Sequence, residues 1–301
     1  MYDSIIIGAG PAGISAAIYL KRRGLNFLII SENIGGELNF IGDIKNYPGF
    51  TNIKGIDLVK KFKEHLESYN IEVILEEVIE LKKVPNGFNV ITNRNIYQAK
   101  TIIVSSGAKP KKINVPGEAE YLHKGISYCS ICDMPLFKDK IVAIIGGGNS
   151  GVTAGLMASQ IARKVYLLTK DKELTCEKIL EDEIKSKNNV EIIKEAIIKN
   201  FYGDKFLRGI VYYTKNKEVD LRVDGVFIHI GLVPSSSFIP NEWKIKNERD
   251  EIIVDKYCKS NIDGLFAAGD ITDLPYNQIG IAVGQGIISA LSAIDYINRL
   301  K

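Results

Sequence analysis

Two segments of this chain share one pattern: an apolar strand, a glycine-rich turn and a helix. The first joins Ser4-Ile5-Ile6-Ile7 to Gly8-Ala9-Gly10-Pro11-Ala12-Gly13 and a helical pattern, and the second joins residues 141–145 to Gly146-Gly147-Gly148-Asn149-Ser150-Gly151 and another helix. Such a turn lets a pyrophosphate approach the backbone and lie at the helix N-terminus. The strand–turn–helix context makes each motif more specific than glycine spacing alone. The sequence therefore predicts two dinucleotide-type folds, although the second turn could also serve packing alone.

Two such folds in 301 residues predict an α/β protein of two domains. The basic, proline-punctuated segment 109–117 follows the first fold, and Gly231-Leu232-Val233-Pro234 follows the second. A strand, a turn and an acid at 264–270 then precede a closing helical pattern over 281–297. We expect the first domain to be discontinuous, residues 1–114 and 235–301, with the second, residues 115–234, inserted into it.

Charge and hydropathy exclude several classes of protein. The 39 Lys and Arg against 36 Asp and Glu leave a net charge of +3, which argues against a nucleic-acid binder. No apolar run of the sequence approaches the ~18–20 residues of a membrane span. The N-terminus enters its first strand without a signal-peptide pattern. The sequence predicts a cytoplasmic protein that binds neither nucleic acid nor membrane.

Two of the four cysteines form a C-x-x-C pair, Cys129-Ser130-Ile131-Cys132, which is typical of redox chemistry or of half a metal site. A zinc site would need a second close pair of ligands, and the histidines are scattered at His65, His123 and His229. Redox chemistry without a metal is therefore the favoured interpretation. Cys176 and Cys258 are interpreted as single packed or surface thiols.

Taken in order, the motifs resemble those of one family. They are Gly8-x-Gly10-Pro11-Ala12-Gly13, Gly35-Gly36-x-Leu38, Asn46-Tyr47-Pro48-Gly49, Cys129-x-x-Cys132-Asp133, Gly146-Gly147-Gly148-Asn149-Ser150 and Gly264-x-Phe266-Ala267-Ala268-Gly269-Asp270. This series resembles the low-molecular-weight thioredoxin reductases and the reductase part of bacterial alkyl hydroperoxide reductase flavoproteins. The resemblance covers essentially the whole chain. It implies two Rossmann-like domains of the three-layer ββα type, an FAD cofactor and a homodimer.

The resemblance also implies which residues contact FAD. The first glycine-rich turn would hold the pyrophosphate, Ser31 and Glu32 the adenosine ribose, and Asp270 the ribityl or phosphate region. The other contacts implied are Gly36, Glu37, Leu38 and Asn46 along the flavin ring, Val78 and Ala108 on the adenine side, Asn277, Gln278 and Ile279 near the flavin edge, and Gly269. Plain turn geometry is an alternative for Gly35-Gly36 and Tyr47-Pro48-Gly49.

The C-x-x-C-D segment would carry the chemistry. By resemblance, Cys132 lies against the flavin and receives electrons, and Cys129 attacks the disulfide of the partner protein. Asp133 would move the proton that thiol chemistry requires, although a carboxylate here is also a common helix N-cap. Because the sequence starts at its first FAD strand, we expect a separate acceptor, thioredoxin or a similar thiol protein.

The second glycine-rich copy departs from the family. The NADPH-using members carry His-Arg-Arg at the end of the next strand and another Arg four residues later, where this chain has Thr169-Lys170-Asp171 and Thr175. Thr153 replaces a Glu that contacts nicotinamide in the family, and Asn277 replaces an Arg. Losing two phosphate contacts of roughly 1.5–3 kcal/mol each would weaken binding by about two to four orders of magnitude. The sequence therefore predicts that NADPH is not used.

Reduced ferredoxin is then the expected electron donor, as in one branch of the family. Ferredoxins are usually acidic, so a basic patch near the flavin would be a docking site; the candidates are Lys109, Lys111 and Lys112, or Lys21, Arg22 and Arg23. Two alternatives stay open. One is an NAD(P)H-dependent thioredoxin-disulfide reductase, and the other is a flavin-containing thiol redox sensor without turnover. A ferredoxin–NADP reductase is disfavoured because it needs no C-x-x-C.

Overall fold

The computed structural model of the chain describes residues 1–41, 43, 44, 46–215 and 217–300, without the side chains of Asp43 and Cys132. The chain divides into two compact units. The first comprises Met1–Lys109 and Val233–Lys301, and the second comprises Pro110–Leu232. The predicted boundaries, 114/115 and 234/235, lie a few residues beyond these crossings, because both crossings fall within short strands rather than after the next turn.

The helices and strands have the following bounds. The α-helices are α1 Pro11–Arg22, α2 Gly55–Ser68, α3 Ser130–Asp133, α4 Asn149–Ser159, α5 Lys178–Lys185 and α6 Ile279–Arg299, and the 3-10 helices are Gly36–Phe40, Met134–Phe137 and Asn241–Trp243. The strands of the first unit and of the crossings are β1 Tyr2–Ala9, β2 Phe27–Ile34, β3 Asp43–Ile44, β4 Ile53–Lys54, β5 Val73–Leu75, β6 Val78–Val84, β7 Gly87–Thr92, β8 Ile96–Val104, β9 Ala108–Pro110, β18 Leu232–Pro234 and β19 Leu265–Ala267. The strands of the second unit are β10 Ile126–Ser127, β11 Ile141–Ile145, β12 Lys164–Leu168, β13 Val190–Ile193, β14 Ile197–Gly203, β15 Leu207–Thr214, β16 Lys217–Arg222 and β17 Gly225–Ile228.

The main sheet of the first unit has the order β5-β2-β1-β8-β7-β6, and β19 pairs with β8. Strands β5, β2, β1, β8 and β19 are parallel, whereas β6 and β7 form an antiparallel hairpin beside the start of β8. The run Ile5-Ile6-Ile7 is buried because both faces of β1 are covered. Two apolar clusters, one on each face, form the core of this unit.

Helices α1 and α6 cover one face of this sheet and pack closely on each other. A Cβ on Gly286 of α6 would lie 2.1 Å from the carbonyl oxygen of Ala12, so glycine is required at this crossing. The Ser15 hydroxyl donates to the carbonyl of Val283 at 3.0 Å. Helix α6 is long and apolar enough to cross a membrane, a property that the apolar runs of the sequence did not reveal. Its buried residues, among them Ala290, Ala293 and Ile294, instead belong to the core of the first unit.

The second unit contains a parallel sheet of order β10-β17-β11-β12-β13 and an antiparallel sheet of order β14-β15-β16. Helix α4 follows β11 and the second glycine-rich turn, as α1 follows β1 and the first. Its two apolar clusters contain residues of this unit alone. Each unit thus has its own core and a strand–turn–helix motif of the predicted kind. The predicted α/β class with two Rossmann-like folds is confirmed.

Candidate functional site

A cavity of about 260 Å³ lies in the first unit, at the carboxyl ends of its parallel strands. This is where α/β sheets bind ligands. Its lining contains most of the residues predicted to contact FAD: Gly8, Gly10, Pro11, Ala12, Ser31, Glu32, Gly36, Glu37, Leu38, Val78, Ala108, Gly269, Asp270, Asn277, Gln278 and Ile279. Two predicted residues, Gly13 and Asn46, lie outside the lining.

The first glycine-rich turn uses its three glycines differently. Gly8 has a φ of +107°, and a Cβ there would lie 2.2 Å from the carbonyl oxygen of Ser105. A Cβ on Gly13 would lie 1.8 Å from the carbonyl oxygen of Gly8, so glycine is required here for the close packing of α1 on the turn. A Cβ on Gly10 would meet nothing within 4 Å. Gly10 therefore leaves space on the cavity side of the turn.

Helix α1 begins beside this space with unused hydrogen-bond donors. Its N-cap is Gly10, no side chain caps it, and its first turn contains no acidic residue. The first backbone N–H groups of a helix have no partner within the helix and favour an anion. Ser31 supports the turn, because its hydroxyl accepts a hydrogen bond from the Ala9 amide at 3.1 Å and donates to the Asn33 carbonyl at 2.7 Å.

Several polar contacts in and beside the cavity were missed by the sequence analysis. Lys109 Nζ lies 2.8 Å from Glu32 Oε1. The hydroxyl of Ser235 is buried without a hydrogen-bond partner. Gln285 on α6 accepts a hydrogen bond from the Gly269 amide at 2.6 Å and so fixes the turn before Asp270. Neither Ser235 nor Gln285 belongs to a recognisable motif, and only the fold brings them here.

Two carboxyl groups in the cavity lining have raised pKa values. Burial raises the pKa of Asp270. Burial also raises the pKa of Glu37. The negative charge of Asp270 raises this pKa further, whereas the positive charge of Lys109 lowers it. Asn46 approaches this end indirectly, because its amide nitrogen donates to Gln278 Oε1 at 3.0 Å.

Backbone geometry explains the other glycines of the predicted site. Gly35 and Gly36 both have positive φ, at 102° and 56°, and Gly49 has a φ of 100°. The alternative of plain turn geometry therefore holds for each of them. Gly36 also lines the cavity, so the two interpretations coexist there.

The residues of the cavity fit FAD. Space beside Gly10 and the uncapped end of α1 suit a pyrophosphate. The carboxylate of Glu32 lies near the end of the second strand, β2, where a ribose hydroxyl needs an acceptor. The partnerless hydroxyl of Ser235 supplies a further buried polar contact.

The C-x-x-C segment follows strand β10 in the second unit. Cys129 is disulfide-bonded and partly buried, while Cys176 and Cys258 are free. The buried hydroxyl of Ser127 holds the backbone of Cys129, accepting from its amide at 2.9 Å and donating to its carbonyl at 3.2 Å. The side chain of Cys132 lies outside the part of the chain that the structure describes.

Asp133 lies one helical turn from Cys129, because its amide donates to the Cys129 carbonyl at 3.2 Å. It is also the N-cap residue of the 3-10 helix Met134–Phe137, but its side chain makes no capping hydrogen bond. Asp133 therefore occupies an N-cap position, as the alternative interpretation predicted, but its side chain does not cap the helix. The partly buried carboxylate is left for another role.

His229 connects the C-x-x-C helix with the second glycine-rich turn. Its Nε2 lies 2.5 Å from the hydroxyl oxygen of Ser130, and its Nδ1 lies 3.1 Å from that of Ser150. Burial lowers the pKa of His229 to about 4, so the ring is neutral near pH 7. The scattered positions of the histidines in the sequence do not predict these contacts.

Residues that follow β12 in the sequence contact the second glycine-rich turn and the start of α4. The Thr175 amide donates to the Gly147 carbonyl at 2.9 Å. At the start of α4, Asn149 donates to Glu177 Oε1 at 3.1 Å and accepts from the Glu177 amide at 2.7 Å. Thr169, at the end of β12, is buried, and its hydroxyl accepts a hydrogen bond from the Asp171 amide at 3.2 Å. The carboxylate of Glu177 thus lies beside Asn149, the first residue of α4.

The basic docking candidates are differently placed. Lys109 is paired with Glu32, and Arg22 donates to the Tyr69 hydroxyl at 2.9 Å. Lys21, Arg22 and Arg23 lie at the C-terminal end of α1, whereas the cavity lies at its N-terminus, roughly 17 Å away along the helix axis. This cluster is therefore remote from the cavity. Lys111 and Lys112 are exposed on the second unit.

Comparisons with known proteins agree with this fold. The chain is 38% identical to an NADH dehydrogenase of Bacillus subtilis and 37% identical to a polypeptide of the alkyl hydroperoxide reductase of Staphylococcus epidermidis. Each match covers 99% of this chain but 59% of the relative, so the chain spans about three fifths of their length.

Solved structures match over nearly their full length. The thioredoxin reductase of Lactococcus lactis, with 31% identity and a TM-score of 0.91, is covered to 100% by 99% of this chain. The match to the thioredoxin reductase of T. acidophilum, with 37% identity and a TM-score of 0.86, covers 100% of this chain and 99% of that protein. A ferredoxin-flavin thioredoxin reductase from Clostridium acetobutylicum, at 31% identity, is covered to 98% by 99% of this chain with a TM-score of 0.55.

A family model also matches most of the chain. Residues 2–286 match the family described as pyridine nucleotide-disulphide oxidoreductase, a range that includes both glycine-rich turns and the C-x-x-C-D segment. The predicted resemblance to thioredoxin reductases and to the alkyl hydroperoxide reductase flavoproteins is confirmed at this level. The chain therefore belongs to the pyridine nucleotide-disulphide oxidoreductase family.

Proposed function

We propose that this chain is an FAD-dependent disulfide reductase that reduces thioredoxin or a similar small thiol protein. The observation that carries the proposal is Cys129: it is disulfide-bonded and one turn from Asp133, whose carboxylate makes no capping hydrogen bond. The same chain holds a cavity that fits FAD. The thioredoxin reductases whose structures match it are covered almost completely.

The residues of the first unit would bind and orient the cofactor. The start of α1 and Gly10 would take the pyrophosphate, Glu32 the ribose, and Asp270 the ribityl or phosphate region. Glu37, Leu38 and Asn277–Ile279 would line the ring, and Asn46 would orient Gln278. When bound, FAD supplies the capacity to accept electrons singly and to deliver a pair.

The dithiol chemistry would follow from Cys129. Two electrons and two protons convert its disulfide into two thiols. The Cys129 thiolate then attacks one sulfur of the acceptor disulfide, which breaks the acceptor S–S bond and forms a mixed disulfide. Attack by the Cys132 thiolate on Cys129 releases the reduced acceptor and restores the original disulfide. Asp133, on the same turn as Cys129, would take and return the proton of the attacking thiol.

We infer that the donor is reduced ferredoxin rather than NADPH. The cations that would bind a 2′-phosphate are absent at Thr169, Asp171 and Thr175. Glu177 also occupies the start of α4 through Asn149. Its negative charge would repel a phosphate that approached this end of α4, which opposes binding. The matched ferredoxin-flavin thioredoxin reductase is named for this donor.

A pyridine nucleotide remains the second candidate donor, because the matched Bacillus subtilis relative is named an NADH dehydrogenase. NADH lacks the 2′-phosphate, so the missing cations would matter less for it. Glu177 at the start of α4 would still oppose the pyrophosphate.

The protein is proposed to be a cytoplasmic homodimer. Ile288 and Leu291 of α6 are 39% and 47% exposed and lie on its outer face. Adjacent exposed apolar side chains on one helix favour association. Light scattering at micromolar protein would give twice the chain mass of 33.4 kDa if this holds and a single chain mass if it does not.

A test of the reductase reaction should be independent of the donor. The flavin is reduced anaerobically by light with a sacrificial amine, and reduced thioredoxin is measured with a thiol reagent. We expect the native protein to reduce thioredoxin, Cys129→Ser to lose this activity, and the control Cys176→Ser to retain it. Flavin reduction without transfer to any disulfide protein would instead support a redox sensor and contradict the proposal.

A further inference from the structure

The four-residue helix α3 carries the redox pair and needs support from outside itself. A single turn of helix is not stable alone, because its few hydrogen bonds do not offset the ordering of its backbone. Ser127 holds the backbone of Cys129, before the helix begins. Within the helix, the buried Ser130 hydroxyl makes the contact with His229.

His229 is itself held firmly. Its amide donates to the Ile145 carbonyl at 2.7 Å, at the end of β11. Its carbonyl would lie 1.9 Å from a Cβ on Gly146, so the glycine allows this close approach. The backbone of His229 is therefore fixed against the second glycine-rich turn, and its ring projects from a rigid base.

The ring bridges two serines on different helices. A neutral imidazole has one donor and one acceptor nitrogen, and a serine hydroxyl can match either. Both ring nitrogens thus have partners, Ser130 on α3 and Ser150 on α4. His229 and both serines lie in the second unit, so their contacts act on the dithiol without involving the cavity of the first unit.

We propose that His229 is a positioning residue for the Cys129 dithiol, which it holds by joining Ser130 of the C-x-x-C helix to Ser150 of α4. The proposal rests on the proposed function in one respect, the redox activity of Cys129. Disulfide stability depends on the geometry that the surrounding chain imposes on the two sulfurs. Loss of the bridge is therefore expected to change the equilibrium between disulfide and dithiol.

The test is the redox equilibrium of Cys129 in glutathione buffers, read by thiol alkylation and mass spectrometry of the full-length, FAD-loaded protein. We expect His229→Ala to change the equilibrium constant about tenfold, which equals about 30 mV for two electrons. Ser130→Ala should shift it in the same direction. The double variant should shift it no further than His229→Ala alone, because the contact of Ser130 with the ring is already lost in that variant.

Matched variants separate this role from general destabilisation. His229→Gln keeps a neutral side chain that can hydrogen-bond and is expected to restore the native equilibrium to within about threefold. His123→Asn changes an exposed histidine of the same unit, at a positive φ of 61° that asparagine tolerates, and should have no effect. Ser150→Ala removes the other contact of the ring and should shift the equilibrium in the same direction as Ser130→Ala. Ser159→Ala is its control, since the Ser159 hydroxyl donates to the Leu156 carbonyl of its own helix.

The outcomes are distinguishable. A native protein whose Cys129 never exchanges with glutathione would contradict the proposed function and this inference together. Normal exchange in the native protein, with His229→Ala and His229→Gln both within twofold of it, would overturn the inference alone. Additive shifts in the double variant would also overturn it.

Discussion

Lys109 Nζ lies 2.8 Å from Glu32 Oε1 at the wall of the cofactor cavity. The pair joins the last residue of the first segment of the first unit to an acid near the end of the second strand, β2. Lys109 is one of the predicted docking residues, but its charge is partly balanced by this carboxylate. The remaining basic candidates near a crossing are therefore Lys111 and Lys112.

Replacing the two partners should have unequal effects on FAD binding. Glu32→Gln removes a charged acceptor for the ribose, worth roughly 1.5–3 kcal/mol, so the Kd for FAD should rise about 10- to 100-fold. Lys109→Gln breaks an exposed ion pair worth about 0–1 kcal/mol and should change the Kd less than about fivefold. Fluorescence titration of cofactor-free protein measures both, with Lys112→Gln as the control. Equal losses in the Glu32 and Lys109 variants would contradict these assignments.

Gly10 and Gly13 of the first turn separate cofactor binding from folding. A Cβ on Gly10 meets no protein atom within 4 Å, so Gly10→Ala should fold, with a thermal midpoint close to that of the native protein. The added methyl group would occupy space needed by the pyrophosphate, so FAD affinity should fall at least about tenfold. Gly13→Ala should instead destabilise the fold, because its Cβ would overlap the Gly8 carbonyl. Thermal unfolding and FAD titration of both variants provide the check. A Gly10→Ala protein that retains native FAD affinity would show that the turn does not hold the cofactor.

We expect Asp270 to lower the stability of the cofactor-free protein and to strengthen FAD binding. Its folded pKa is raised by burial, so the cofactor-free protein loses stability as pH rises through that pKa and the carboxylate ionises. Asp270→Asn should therefore unfold at a higher temperature than the native apoprotein near pH 7, and the difference should vanish in acid. The same change should weaken FAD binding, because a charged acceptor is lost. Asp263→Asn, at an exposed site, serves as control. A variant that is less stable near pH 7 but binds FAD normally would contradict both roles.

His229 should make stability fall in mild acid. Its pKa is lowered from 6.5 to about 4 in the folded protein, so the unfolded chain binds the proton first. Stability is then fully present above pH 6.5 and declines as pH falls toward 4, by up to about 3 kcal/mol. His229→Gln should flatten this part of the pH profile, whereas His123→Asn should not. Denaturant unfolding across the window measures the slope. An unchanged slope in His229→Gln would contradict the assignment.

The sequence was informative where chemistry depends on local spacing. The glycine-rich turns predicted both Rossmann-like folds, and Glu32, the acid near the end of the second strand, lies in the cavity lining. Contacts made across the fold were not predictable. Gln285 approaches Gly269 from a helix 16 residues later, and His229 follows a strand about 100 residues after Ser130. Neither residue type is unusual at its position in the sequence, and only the pairing of β17 with β11 brings His229 to the second turn.

The donor to the flavin is the feature on which the account depends most, and anaerobic reduction of the FAD-loaded protein measures it directly. Reduced ferredoxin, NADPH and NADH are each added at micromolar concentration while the absorption of oxidised flavin is followed. We expect ferredoxin to bleach this band and Cys129 then to become available to alkylation, while neither nucleotide bleaches it. Rapid bleaching by NADPH or NADH would contradict the account and assign the second glycine-rich turn to a pyridine nucleotide.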